Sequence, residues 1–130
     1  MNKERLQELL AELRQMPGEL DVVRRAEMQT KLARDAARED YDLAVVNALM
    51  SNNGQTEGKN AEERKLRQDY YLNSHPDVRA KKKRLTEAEA DWLEAQLAVR
   101  KEEDVFAALR TEARVLSSYL EYLAGEPRHK

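Results

Sequence analysis

Residues 78–123 repeat an apolar residue every seven positions: Val78, Leu85, Trp92, Val99, Phe106, Ala113 and Leu120. A second row three places on reads Lys81, Ala88, Ala95, Glu102, Leu109, Leu116 and Leu123, apolar at five of its seven positions. Alternating steps of three and four put both rows on one side of a helix, and a strict seven-residue period winds such helices into a left-handed supercoil. A helix over 76–124 would be roughly 73 Å long, too long for one element of a compact globule of 130 residues. Its seam needs other helices to lie against. The expected fold is all-α: an elongated antiparallel helical hairpin with coiled-coil packing and one long C-terminal helix.

Composition agrees with a narrow seam rather than a thick core, since charged residues are 37% and aromatics 5% of a chain that allows a single domain. No run approaches the ~18 apolar residues of a membrane-spanning helix. The start, Met1-Asn2-Lys3-Glu4-Arg5, is charged where a signal peptide would be apolar, so a cytoplasmic protein is expected. With no cysteine there can be no disulfide and no thiolate metal site.

Residues 3–16 read as a short amphipathic helix with Leu6, Leu9, Leu10, Leu13 and Met16 on one face, broken or kinked by Pro17-Gly18. A long helix over 19–50 follows. Its expected apolar face is Val22, Val23, Ala26, Leu32, Ala33, Ala36, Ala37, Leu43, Ala44, Val46 and Met50, small enough in the middle for close antiparallel packing. Residues 51–59 form a Gly/Asn-rich loop. Asn60 reads as an N-cap with Glu63 at the capping-box position, opening a short helix over 61–73. The break at Asn73-Ser74-His75-Pro76-Asp77 precedes the long helix over 76–124, with Ser74 as its expected start and Gly125 and Pro127 past its end. Because a helix over 76–124 outruns a partner over 19–50, roughly 25–30 Å of its seam is expected to be left for other copies of the chain. Leu6, Leu9, Leu13, Phe106, Leu109, Leu116 and Leu120 are the residues expected to make that contact.

The net charge of −2 hides a segregation: residues 61–84 carry 8 basic and 4 acidic groups, while 1–60 carry 9 and 11 and 85–130 carry 6 and 10. At the C-terminal end of this basic island is the run Arg79, Lys81, Lys82, Lys83 and Arg84. Cations at a helix N-terminus oppose the macrodipole. Two readings are open: phosphate contact with counterion release, or a solvated helix end. Single-stranded nucleic acid is held by a basic track with aromatic platforms. Lys31, Arg34 and Arg38 precede Tyr41, and Lys59, Arg64, Lys65 and Arg67 precede Tyr70 and Tyr71. These tyrosines could equally cover the seam. Catalytic signatures are missing: two histidines, no HExxH and no phosphate-binding glycine loop. A non-enzymatic protein is expected, without cofactor or metal.

The order of elements resembles the small phage recombination mediators of the UvsY type. The resemblance rests on Ala37-Arg38-Glu39-Asp40-Tyr41 late in the first long helix, the polar loop over 51–59, a short charged helix, the break at Ser74-His75-Pro76-Asp77-Val78, and a long C-terminal helix with Trp92 in its first half. It implies an oligomer that binds single-stranded DNA and helps a recombinase displace single-strand-binding protein, in the host cytoplasm if the chain is phage-encoded. A structural or adaptor coiled coil that scaffolds protein partners through its leucine stripe is the other reading of the same pattern.

Overall fold

The computed structural model describes residues 2–51 and 58–125. Six of the nine positions of the polar loop over 51–59, and the tail after Gly125, lie outside the described residues. Three helices make up the fold: α1 (Asn2–Ser51), α2 (Ala61–Ser74) and α3 (Pro76–Gly125). There is no strand among the described residues. The chain is all-α and divides into two compact units, Met1–Glu27 with Ala95–Lys130, and Met28–Glu94, in each of which α1 and α3 pack antiparallel.

The seven-residue period of α3 is its buried face. Val78, Leu85 and Ala113 are buried, and Trp92, Val99, Phe106 and Leu120 are half-buried. The second row is half-buried from Lys81 to Leu116, including Glu102, and only Leu123 emerges, at 38% exposure. The charged run 100–104 therefore does not interrupt the seam. Its one inward position is filled by the aliphatic stem of a glutamate, as long charged side chains allow.

The main departure from expectation is α1, which is one helix of 50 residues with Pro17 inside it, not a short helix and a long one. Proline removes one backbone N–H and crowds the carbonyl four residues back, at a cost of ~3 kcal/mol in a helix interior. The register explains why the helix continues. Leu6, Leu13 and Leu20 stand seven apart, as do Leu9, Met16 and Val23, so the seam crosses Pro17 without change of phase. Leu9, Met16 and Leu20 are buried, while Pro17 and Gly18 face solvent, where water can serve the freed carbonyl.

A continuous α1 overturns the argument that seam is left over for other copies. Leu6, Leu9 and Leu13 lie in the seam of the unit formed by Met1–Glu27 and Ala95–Lys130, as do Phe106, Leu109, Leu116 and Leu120. Of these residues Leu9 is buried within the chain, and the other six are half-buried in the same seam. In the same unit Arg5 spans the helices, its Nε 3.0 Å from Glu112 Oε1 and its Nη2 donating to Oε2 at 3.2 Å. That hydrogen bond, and a weaker one to Glu8, hold the Arg5 guanidinium above its ordinary pKa.

In the unit Met28–Glu94, Ala44 and Ala48 are buried against Val78, with Tyr41, Val45, Tyr71 and Leu72 packed around them. The small residues let α2 and α3 approach α1 closely, as their abundance suggested. The expected face of α1 was nevertheless partly misplaced. Thr30, Arg34, Ala37, Tyr41, Ala44 and Ala48 turn inward, while Val22, Leu32, Leu43, Val46 and Met50 are exposed.

Candidate nucleic-acid interface

The corner between α2 and α3 is built by local chemistry. Asn60 caps α2, its Oδ1 accepting from the Glu63 N–H at 2.8 Å, and the Glu63 carboxylate accepts from the Lys59 N–H at 3.3 Å. The Tyr71 hydroxyl donates to the Ala48 carbonyl at 3.1 Å, tying the end of α2 to the end of α1. Ser74 is not the start of α3. Its hydroxyl donates back to the Tyr70 carbonyl at 2.6 Å, and the capping position falls to His75, which is extended at φ −70, ψ 123. A residue before proline is driven to that conformation. The His75 carbonyl accepts the first helical bond, from the Arg79 N–H at 2.9 Å, and its ring stands edge-on to Tyr71 at 5.9 Å between centroids.

This corner aims the first two turns of α3. Arg79, Lys82 and Lys83 are exposed, beside the buried Val78 and Leu85. Two clefts open beside them. One, of about 460 Å³, has Leu72 and Val78 in its floor and Asn73, Arg79, Lys82, Lys83, Thr86 and Glu87 around it. The other, of about 400 Å³, is lined by Ser74, Pro76, Arg79, Ala80 and Lys83. Arg79 and Lys83 form a wall common to both. Among the described residues none of these three cations has a carboxylate within ion-pair distance.

The remaining residues expected to meet DNA are scattered. Arg84 is exposed but lines neither cleft, and Lys81 is a half-buried seam position. Lys31 and Lys65 are exposed. Arg38 reaches Glu89 at 3.5 Å, Arg67 reaches Glu63 at 3.1 Å, and Arg64 Nε donates to the Asn60 carbonyl at 3.3 Å. Lys59 is exposed next to the cap. Two residues leave the basic surface altogether. Tyr41 packs on the Ala44–Ala48–Val78 cluster. Arg34 turns into the seam, its guanidinium carbon 4.4 Å from the centre of the Trp92 ring. Their positions follow from the period of α1, since Arg34, Tyr41 and Ala48 stand seven apart in the inward row.

Two apolar features were not anticipated. Met28, Leu32, Leu43, Val46 and Met50 form an exposed stripe along the outer face of α1. In the other unit a groove of about 820 Å³ is lined mainly by Ala107, Ala108, Val115, Leu116 and Tyr119. Among the described residues no helix is long and apolar enough to cross a membrane, and no cluster of three or more side chains could hold a metal ion. Comparisons with protein-family models, with curated proteins and with solved structures find no match.

Proposed function

We propose that the chain is a non-enzymatic accessory of recombination or replication that binds single-stranded DNA as an oligomer. The observation that carries the reading is the group of Arg79, Lys82 and Lys83, exposed around two adjoining clefts and without carboxylate partners among the described residues. Arg79, the fourth residue of α3, works against the helix dipole, and a polyanionic ligand supplies counter-charge to all three cations. The resemblance to phage recombination mediators supports the same reading, with a recombinase and a single-strand-binding protein as partners.

Because the chain's net charge is −2, affinity rests on repetition. Several copies present several basic corners to one strand, and avidity multiplies weak single contacts. The face available to a second copy is the outer stripe of α1. Its Leu32, Leu43, Val46 and Met50 are each at least half exposed. Fluorescence anisotropy with a labelled oligonucleotide across a salt series tests the DNA reading. Binding is expected to weaken steeply with salt, and the joint change of Arg79, Lys82 and Lys83 to Glu to abolish it. Binding that survives the triple change, or is absent at low salt, removes the reading.

A second reading, an adaptor that scaffolds protein partners, is favoured by the apolar groove beside Val115 and Tyr119. It expects no DNA affinity.

A further inference from the structure

We propose that the two clefts beside Arg79 and Lys83 are seats for consecutive nucleotides of one strand, with base or sugar faces in the clefts and the intervening phosphate on the shared cationic wall. This deepens the single-stranded DNA reading and rests on it.

The argument begins from what each surface can accept. The clefts, at about 460 and 400 Å³, fall within the range of small-ligand sites. A purely electrostatic track needs no concavity, since phosphates are met by side chains standing in solvent. Here the larger cleft has the half-buried Leu72 in its floor, over the buried Val78, and the smaller one offers the ring of Pro76 and the methyl of Ala80. Such surfaces gain from covering a flat base or sugar and gain nothing from a phosphate. The Glu87 carboxylate on the rim of the larger cleft repels a phosphate outright. The phosphate is thereby directed to the one place bordering both clefts where positive charge is doubled, Arg79 and Lys83. These stand four residues apart, about 5–6 Å between Cβ atoms on one helix face, so both reach one phosphate or two neighbouring ones. Lys82 adds charge on the side of the larger cleft only.

The backbone that carries the wall is also held still. Arg79 begins the helical hydrogen-bond ladder on the His75 carbonyl at 2.9 Å. Val78, one residue before it, is 1% exposed against Ala44 and Ala48. The backbone of this corner is therefore preorganised, and binding has only the side chains of the wall to order.

The test compares three probes against the full chain by fluorescence anisotropy at one low salt concentration: a short labelled oligonucleotide, an abasic oligonucleotide with the same number of phosphates, and inorganic polyphosphate as competitor. The intact oligonucleotide is expected to bind about fivefold or more tightly than the abasic one, and polyphosphate to compete poorly. Ala80→Leu and Thr86→Leu fill the two clefts separately without changing charge. Both positions are exposed, and the Thr86 hydroxyl only returns to the Lys82 carbonyl at 3.0 Å, so folding, checked by circular dichroism, is expected to be kept. Each variant should shrink the preference for the intact strand while leaving the salt slope unchanged. Equal binding of intact and abasic strands, or a preference untouched by both variants, overturns the nucleotide seats and leaves salt-dependent DNA binding standing. Absence of binding to either strand overturns both readings at once.

Discussion

The guanidinium carbon of Arg34 lies 4.4 Å from the centre of the Trp92 ring, inside the seam between α1 and α3. Asp35 Oδ1 stands 3.0 Å from Arg34 Nε, but off the line of its N–H, so Nε–H has an ionic neighbour and no acceptor. The Trp92 Nε1–H also lacks a partner among the described residues. A cation over an indole gains ~1 kcal/mol or somewhat more, and the unmet donors take much of that back. Arg34→Met is therefore expected to change stability by no more than about 1 kcal/mol and to leave DNA affinity unchanged. Urea unfolding followed through the single tryptophan measures the first, with a shifted folded-state emission because the charge over the ring is gone. Arg34→Glu should be clearly worse, since it sets a carboxylate against the negative face of the indole. A large loss of DNA affinity in Arg34→Met would return this residue to the binding surface.

Pro17 and Gly18 are the least suited pair in α1, and the structure leaves room to replace them. A Cβ added at Gly18 meets nothing within 4 Å. Gly18→Ala is expected to stabilise by about 0.5–1 kcal/mol. Pro17→Ala restores the missing backbone bond and should gain more, up to ~3 kcal/mol. Thermal unfolding of the two variants checks this. Destabilisation by either would mean that the pair marks a break in solution.

Leu9 and Leu10 are adjacent in sequence and opposite in role. Leu9 is 0% exposed and Leu10 43%. Leu9→Ala should cost about 2–5 kcal/mol, and Leu10→Ala should stay within about 0.5 kcal/mol. Both are read from denaturant midpoints at several protein concentrations. If the cost of Leu9→Ala appeared only at concentrations where copies associate, the leucine stripe would be an intermolecular contact after all.

Self-association is expected to depend on the outer stripe of α1. Leu32→Lys with Leu43→Lys should lower the sedimentation coefficient toward that of a monomer without loss of helicity, since both side chains are more than half exposed. A chain that is monomeric at tens of micromolar before any substitution would remove the oligomer from the functional proposal.

Much of α3 could be read in advance, because its seam is written in large apolar residues at a fixed period and its ends in a proline and a glycine. The Asn60 cap was legible for a similar reason: one short side chain and one glutamate at fixed spacing decide it. α1 was harder. Pro17-Gly18 is a strong local signal for a break, and what outweighs it is the unbroken phase of Leu13, Met16, Leu20 and Val23 against a helix about a hundred residues away in the chain. Further along, the inward row holds Thr30, Arg34 and Tyr41, while the louder apolar residues Leu32, Leu43 and Met50 face out. Hydrophobicity alone selects the wrong side there. The cations of the candidate site were visible in sequence as a run. The clefts were not, because they exist only where α2 and α3 meet at His75.

The division of the chain gives its two units different places in time. Met28–Glu94 is continuous, whereas the other unit joins Met1–Glu27 to Ala95–Lys130. During synthesis the continuous unit is complete once Glu94 has left the ribosome, and its contacts, such as Ala48 with Val78, close short stretches of chain. Leu9 is made before that unit, yet the segment that buries it is made after it. Domains fold as units during synthesis, and contacts distant in sequence form late. Residues 2–27 thus find their place only after the unit that follows them, and until then their leucines are open to chaperones, proteases and one another.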